Sequence, residues 1–273
     1  MGNTQGVSES SNPKRIHDAV LRRVNDIPDA LSWQGSKRAR DNRMRLADYR
    51  DIHLGQRCFV MANGPSLGNM DLRALAGEFT FSMNRAYILY PQWGFTPSYY
   101  VCINELVLEQ FADDISRLEM PRFVNFNRRH CFAGKRDEPM YLRVGLGLQD
   151  RFCGDVTGTM SSGGTVTFAS LQLAYFMGFK EVVLVGLDHS FVEKGVPNST
   201  EVRQQARDES HCHPDYFPQG IKWQLPDLYR SELAYATARR AFEADGRRII
   251  DATVNGNCAV FEKVDFSQFL QAP

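Results

Sequence analysis

The stretch SSGGTVTFASLQLAYFMGFKEVVLVGLDHSF, residues 161–191, decides the fold class of this chain. A polar, glycine-rich loop leads into an apolar segment of helix length, and a Gly-Phe-Lys turn leads into the β-branched-rich run at 182–185. Such a short apolar run is typical of a strand buried on both faces of a parallel sheet. Asp188 follows where that strand ends, at the edge where open α/β sheets bind their ligands. The stretch therefore predicts one helix-and-strand unit of an α/β fold with a ligand site at its end.

The loop Ser161-Ser162-Gly163-Gly164 precedes the predicted helix. The first N–H groups of a helix have no partner within the helix, and the helix dipole favours a negative charge beside them. The hydroxyl and backbone donors of this loop therefore predict contacts with an anionic ligand.

A second unit lies earlier in the chain. Residues 57–62 (RCFVMA) predict a strand, and Asn63-Gly64-Pro65-Ser66-Leu67 follows at once. Gly64 has no Cβ, which would let backbone amides approach a phosphate closely. Ser66 is predicted to cap the short helix that follows, and Pro65 stiffens the turn. The lysine and further glycines of the common phosphate-binding motifs are absent, so a plain strand-to-helix turn is the alternative interpretation.

The loop at 63–67 resembles the nucleotide-binding loop of bacterial lipooligosaccharide sialyltransferases and MptE-like proteins. The latter include archaeal 6-hydroxymethylpterin diphosphokinases and motility-associated flagellin glycosyltransferases. Further similar motifs follow in the same order, over about residues 55–260: FSMNRAY at 81–87, the stretch 161–188, His211, and DATVN at 251–255. The resemblance implies nucleotide contacts from Asn63, Gly64, Pro65, Ser66, Asn84, Ser161, Ser162, Gly163 and Asn255. It also implies that Asp188 orients the ribose or base and that His211 is the catalytic base.

Composition agrees with a globular α/β enzyme. The 273 residues are 43% hydrophobic, and 32 basic side chains balance 32 acidic ones, which gives no signal for nucleic-acid binding. Six scattered cysteines without a CxxC pair fit reduced thiols. No apolar run is long enough to span a membrane, and the polar N-terminus has no signal-peptide core. We expect a cytoplasmic protein, either free or at the inner face of the membrane.

Alternating strands and helices organise the rest of the chain. Strands are predicted at 79–83, 98–103, 121–126, 140–144 and 247–251, and helices at 105–119, 165–177 and 230–245. This alternation predicts a single Rossmann-like, doubly wound, mostly parallel sheet with helices on both faces.

The predicted organisation has three parts. Residues 1–12 form a disordered tail, 13–50 a basic helical extension, and 51–273 the catalytic domain, with a long lid at about 192–228. The extension has a partial apolar face (Ile16, Val20, Leu21, Val24) with many arginines opposite. We favour packing of the apolar face on the main domain with a solvated basic face, while peripheral contact with an anionic membrane or glycolipid is the alternative.

The lid contains the second chemical cluster, ESHCHPDYF at 209–217. A histidine in a lid can accept a proton from a sugar hydroxyl near neutral pH, which makes His211 the candidate base. Hydrogen bonding of His211 and His213 between lid and body is one alternative. Another is a zinc site of His211-Cys212-His213 with Asp188 and His189, although a His-x-His in an irregular loop is weak evidence, and we predict no metal. Tyr216, Phe217 and Trp223 are expected to pack the lid.

The Asp-x-Asp triplet that often holds a nucleoside diphosphate through a metal is absent. A donor with a single phosphate needs less neutralisation of charge, and backbone amides with hydroxyls could supply it. We therefore expect a metal-independent glycosyltransferase that uses a CMP-linked sugar in surface glycan biosynthesis, with a glycan or glycolipid acceptor and no tightly bound cofactor. The alternatives are a Mg²⁺-dependent pyrophosphokinase acting on a pterin alcohol, and a non-catalytic protein that binds nucleotide sugars.

Overall fold

The structure is a computed structural model that describes residues 13–135, 137–147, 149–192, 195–204 and 207–271, with side chains described from residue 20 to 270. The disordered tail predicted for residues 1–12 lies outside these ranges.

The strands of the described residues follow in chain order. They are β1 (Arg57–Met61), β2 (Phe79–Met83), β3 (Tyr99–Cys102), β4 (Arg122–Asn125), β5 (Met140–Val144), β6 (Thr159–Met160), β7 (Glu181–Val185), β8 (Thr200–Val202), β9 (Lys222–Gln224), β10 (Arg248–Asp251) and β11 (Glu262–Lys263).

Nine of these strands form one sheet in the order β11-β10-β7-β1-β2-β3-β4-β5-β6, and every neighbouring pair is parallel. This confirms the predicted α/β class and parallel sheet. The sequence did not predict the short edge strands β6 and β11. It also did not predict that β8 and β9 form an antiparallel hairpin within the lid segment.

Seven α-helices lie in the described ranges: α1 (Pro13–Gly35), α2 (Lys37–Ala47), α3 (Tyr90–Trp93), α4 (Glu105–Ser116), α5 (Val166–Phe176), α6 (Leu228–Ala244) and α7 (Phe266–Gln271). Short 3-10 helices occupy 65–69, 72–75, 86–89 and 126–132. In the part of the chain that is described, none of the helices combines the length and the apolarity that crossing a bilayer requires.

The strands alternate between two apolar layers. In β1, Cys58 and Val60 belong to one buried cluster, which also contains the core residues of α5 and α6. Phe59 and Met61 point to the other face and pack with the short helices at 65–75 and with α7. Helices therefore cover both faces of the sheet, which explains why the sequences of the central strands are nearly continuous apolar runs.

The chain order makes β1 the point where the sheet changes direction. From β1 the chain builds β2 to β6 on one side and then returns to place β7 and β10 on the other. The loops after β1 and β7 therefore leave neighbouring strands in different directions, which opens a crevice at their carboxyl ends. The residues after Met61 and after Val185 lie at this crevice.

Helix α1 lies against the residues that follow β4 and β5. Asp26 pairs with Arg143 at 2.6 Å, and Asp29 pairs with Arg129 at 2.5 Å. Trp33 packs edge-on against Phe126 at 4.9 Å between ring centroids. Helix α1 therefore packs on the main domain, as expected, but through Trp33 and the ion pairs and not through the predicted apolar face. Val20, Leu21 and Val24 of that face are exposed.

We predict that Asp26→Ala lowers the free energy of unfolding by about 2–3 kcal/mol, because it leaves the buried Arg143 guanidinium without its charged partner. Urea unfolding measures the change. The control is Asp41→Ala, whose partner Lys37 is largely exposed and whose loss should cost less than about 1 kcal/mol. Equal losses in the two variants would show that the buried pair does not anchor α1.

Candidate functional site

The two motifs that the sequence singled out meet at the crevice between β1 and β7. Gly64 N–H donates to the carbonyl of Gly186 at 2.9 Å. Asp188 accepts from the Ser66 N–H at 3.0 Å and from the Ser66 hydroxyl at 2.6 Å. Both carboxylate oxygens of Asp188 therefore fasten the loop after β1.

This contact corrects the predicted role of Ser66. The 3-10 helix begins at Pro65, and Gly64 precedes it without a capping side chain. Ser66 lies inside this helix and binds Asp188, so the prediction that it caps the helix was wrong. The hydroxyl finds a charged acceptor across the crevice, and this bond is stronger than one to a backbone N–H.

Gly64 is required by close packing and not by its backbone conformation. Its φ of −70° is available to any residue. A Cβ at this position would lie 1.9 Å from Asp188 Oδ2 and 2.6 Å from the Gly186 carbonyl oxygen, far inside contact distance. The approach of a phosphate to Gly64 stays a prediction, and the approach of β7 is the observed reason for the glycine.

The lid segment closes onto the ends of β1 and β2. Cys212 N–H donates to the carbonyl of Asn63 at 2.8 Å. The Tyr216 hydroxyl accepts from Asn63 Nδ2 at 2.6 Å and from the Arg85 N–H at 3.2 Å, while the Arg85 guanidinium donates to the Asp215 and Tyr216 carbonyls. Tyr216 is fully buried, so it acts as an anchor of the lid and does not face a ligand.

The same segment builds a histidine–carboxylate pair. His211 Nδ1 lies 3.0 Å from both oxygens of the Asp208 carboxylate, which is itself wholly buried. The imidazole stacks on Tyr216, with 4.3 Å between centroids and 5° between planes. Its side chain is only 12% exposed. Stacking and hydrogen bonding together hold the ring in one orientation.

Asp208 remains a carboxylate in this buried setting. Burial alone would raise its pKa, but the hydrogen bond and charge of His211, the charge of Arg203 and the N–H of Ser210 outweigh burial and lower the pKa. The Phe217 N–H also donates to it at 3.2 Å. Sequence reasoning missed Asp208, although its position three residues before His211 is a visible signal.

The loop at 161–164 already holds an anion, which comes from the chain itself. Gly163 N–H donates to Asp150 at 3.0 Å, and Arg230 makes two bonds, of 2.6 and 3.0 Å, to the same carboxylate. The Ser162 hydroxyl accepts from Arg230 at 3.1 Å, and the Ser161 hydroxyl accepts from the Arg151 N–H. The negative charge at this loop is thus a carboxylate of the same chain, and sequence analysis missed both Asp150 and Arg230.

The remaining predicted residues border the crevice. Asn84 ends β2 with a positive φ of 49°, and its carbonyl accepts from the Tyr100 hydroxyl at 2.7 Å. Asn255 is exposed in the loop after β10, and two residues later the Asn257 N–H donates to the Asp188 carbonyl at 2.9 Å. Their nucleotide contacts stay predictions, as do those of Asn63, Pro65 and the residues at 161–163.

The other lid and crevice histidines have local partners. His189 Nε2 lies 3.0 Å from Glu232, and His213 accepts from the Asp215 N–H. Burial raises the pKa of Cys212 to about 12, and a protonated thiol is a poor metal ligand. Within the described ranges, no three His, Cys, Asp or Glu side chains gather closely enough to hold a metal ion.

We predict that Gly64→Ala destabilises the fold by about 2–3 kcal/mol, because the new methyl group overlaps Asp188 and the backbone of Gly186. The matched control is Gly68→Ala in the 3-10 helix that follows Gly64, where a Cβ meets nothing within 4 Å. Thermal and urea unfolding compare the two variants. A Gly64→Ala protein as stable as Gly68→Ala would contradict the packing argument.

We predict a pH signature for Asp208. Because its pKa is lower in the folded protein than the value of about 3.9 in an unfolded chain, the carboxylate stabilises the fold above about pH 4. This contribution is lost as the pH falls through the folded-state pKa. The free energy of unfolding of Asp208→Asn should therefore fall less steeply on acidification than that of the wild type. Urea unfolding along a pH series tests this, with the exposed Asp215→Asn as control. Equal slopes in all three proteins would count against the paired carboxylate.

Comparison with known proteins shows which family this chain is similar to. The sequence profile described as "6-hydroxymethylpterin diphosphokinase MptE-like" matches residues 38–194. A search of curated proteins finds no match. Among solved structures, the MAf glycosyltransferase from Magnetospirillum magneticum AMB-1 is similar at 13% identity and a TM-score of 0.49. That similarity covers 82% of this chain and 38% of the other. Because the profile matches more than half of its length, this chain belongs to the MptE-like family.

Proposed function

We propose that this protein transfers a glycosyl group from a nucleotide-activated sugar to an acceptor hydroxyl, with His211 as the general base. The observation that carries the proposal is the buried Asp208 carboxylate on His211 Nδ1. In this arrangement the Nδ1–H donates a hydrogen bond to the carboxylate, so the lone pair that accepts a proton is on Nε2.

The pair can perform one chemical step well. Among the described residues no hydrogen bond is made to His211 Nε2, which leaves this nitrogen as the candidate acceptor for the proton of the acceptor hydroxyl. As the hydroxyl attacks, Nε2 takes its proton, and the negative charge of Asp208 stabilises the imidazolium that forms. The stack on Tyr216 keeps the ring from turning during this step.

The base is positioned next to the predicted donor loop. Cys212, the residue after His211, bonds to the carbonyl of Asn63, which begins that loop. A nucleotide bound at 63–66 and an acceptor bound at His211 would therefore meet at the crevice between β1 and β7, where open α/β sheets bind ligands.

A CMP-linked sugar is the donor that we propose. Two arginines near the site already have partners: Arg85 binds lid carbonyls and Arg230 binds Asp150. A single phosphate places a smaller demand on further positive charge than a diphosphate does. The leaving phosphate would be stabilised by N–H groups and hydroxyls of the loops at 63–66 and 161–163, which would have to exchange their present partners Gly186, Asp188 and Asp150 for the phosphate.

The family description favours a second candidate, the transfer of a pyrophosphoryl group from ATP to a pterin alcohol. The same His211 would deprotonate the alcohol, but this reaction relies on Mg²⁺ to balance the β- and γ-phosphates. Under this candidate Asp188 and other acids would hold the ion, whereas both oxygens of Asp188 bind Ser66 here.

Thermal shift measurements against CMP, UDP and ATP, each with Mg²⁺ and with excess EDTA, separate the two candidates, because a ligand selective for the folded state raises its stability. The proposal expects stabilisation by CMP in EDTA, followed by sugar transfer from a CMP-linked donor that EDTA does not inhibit. Stabilisation by ATP only in the presence of Mg²⁺, with no response to CMP, would replace it by the second candidate.

We predict that His211→Ala lowers kcat by about 10²–10⁴-fold while the Kd of the donor changes little, because a general base acts on the acceptor and not on donor binding. The control is His213→Ala in the same lid, whose ring bonds only within its own turn and whose loss should leave kcat near the wild-type value. Steady-state kinetics and donor titration measure both. If the two variants lose kcat equally, or if His211→Ala loses donor affinity and thermal stability together, His211 is not the base.

A further inference from the structure

Helix α1 carries a stripe of exposed apolar side chains. Val20, Leu21, Val24, Ile27 and Leu31 are each between 45% and 64% exposed. Four of them follow one another at spacings of four, three and four residues, which places them on one side of the helix. We call these five residues the outer stripe.

From Arg23 to Asp29 the side of α1 that faces the protein is polar, whereas Trp33, nearer the end of the helix, packs on Phe126. Asp26 and Asp29 pair with Arg143 and Arg129, and Arg23 reaches the carbonyl of Gly147. A helix that packs on its own protein ordinarily turns its apolar side inward. In α1 the arrangement is reversed, and contiguous exposed apolar surface of this kind marks an interaction site.

The charge around the outer stripe points to an anionic partner. Residues 13–50 contain ten Lys and Arg against five Asp, whereas the whole chain has equal numbers of basic and acidic residues. Asp26 and Asp29 are turned inward into ion pairs, while five described basic side chains of this segment are exposed: Arg22, Lys37, Arg40, Arg45 and Arg50. The outward surface of α1 and α2 is therefore apolar and basic at once.

We propose that α1 docks on an anionic lipid bilayer, with the outer stripe inserted at the boundary between headgroups and acyl chains. Apolar contact and attraction to anionic headgroups together bind interfacial helices of this composition. A second copy of the chain fits this surface less well, because it would bring two positively charged segments together. The stripe also spans only about three turns, fewer than the three to four heptads of a stable coiled coil.

The surface of α1 that contacts the bilayer would lie on the same side of the sheet as the candidate site, namely at the carboxyl ends of the strands. Arg143, the partner of Asp26, lies at the carboxyl end of β5, and Gly147 follows that end. The loops that carry Gly64 and Asp188 follow the carboxyl ends of β1 and β7, and all of these strands are parallel. Docking through α1 would therefore bring the carboxyl edge of the sheet close to the bilayer, whichever group the protein transfers.

Co-sedimentation of the full chain with vesicles tests the proposal. The protein should sediment with vesicles of mixed phosphatidylglycerol and phosphatidylcholine, and binding should weaken as salt is added, because the basic side chains supply part of the attraction. The double variant Val24→Glu/Ile27→Glu should sediment no more than protein without vesicles. Far-UV circular dichroism and the thermal midpoint establish that the variant is folded.

The matched control is Ile52→Glu/Leu54→Glu. It introduces the same charge at two exposed apolar side chains that precede β1, at the amino ends of the parallel strands. This variant should bind the vesicles as the wild type does. Absence of wild-type binding to anionic vesicles, or undiminished binding by the α1 variant, would overturn the proposal. It would also be overturned if light scattering showed a dimer that only the α1 variant dissociates and no protein bound to vesicles.

Discussion

The contact between Gly64 and the end of β7 is the constraint on which the rest of the site depends. Strands β1 and β7 are neighbours in the sheet, and their following loops must diverge where the chain order reverses. At that point the Gly64 backbone lies directly against Gly186 and the Asp188 carboxylate, so that no Cβ fits between them. The two bonds from Asp188 to Ser66 then determine the path of the loop at 65–69. This contact therefore positions Ser66 and Asp188 at the crevice.

Hydrogen bonds between groups with little conformational freedom hold the lid against the loop after β1. Asn63 receives the Cys212 N–H on its carbonyl and donates its side-chain amide to Tyr216. Two buried polar atoms of this junction, Asn63 Oδ1 and Arg85 Nε, have no hydrogen-bond partner among the residues that the structure describes. Such atoms cost free energy, which is tolerated mainly where function requires a particular arrangement. The junction therefore couples the orientation of His211 to the loop after β1.

The sequence predicted the strands well and the long-range polar contacts poorly. The bounds predicted for β2 and β5 agree with the structure, because a short apolar run between turn signals is a local property of the chain. The pairing of Asp150 with Arg230 joins residues 80 positions apart, and no local pattern encodes it. The reversed orientation of α1 was also missed, because a helical period shows which residues share a side but not whether that side faces the core.

The carboxylate of Asp150 has a consequence for affinity. It occupies the donors of Gly163 and Arg230 that a phosphate would use, and it is attached to the same chain. Because the Asp150 carboxylate is attached, it competes at an effective concentration on the order of millimolar. A free anion must therefore bind more strongly than this carboxylate in order to displace it. The apparent Kd of any ligand at this loop is therefore its intrinsic Kd divided by the fraction of molecules in which Asp150 has moved away. Simple anions would bind this loop weakly under this rule, and a larger ligand would bind only through the contacts that it makes elsewhere along the crevice.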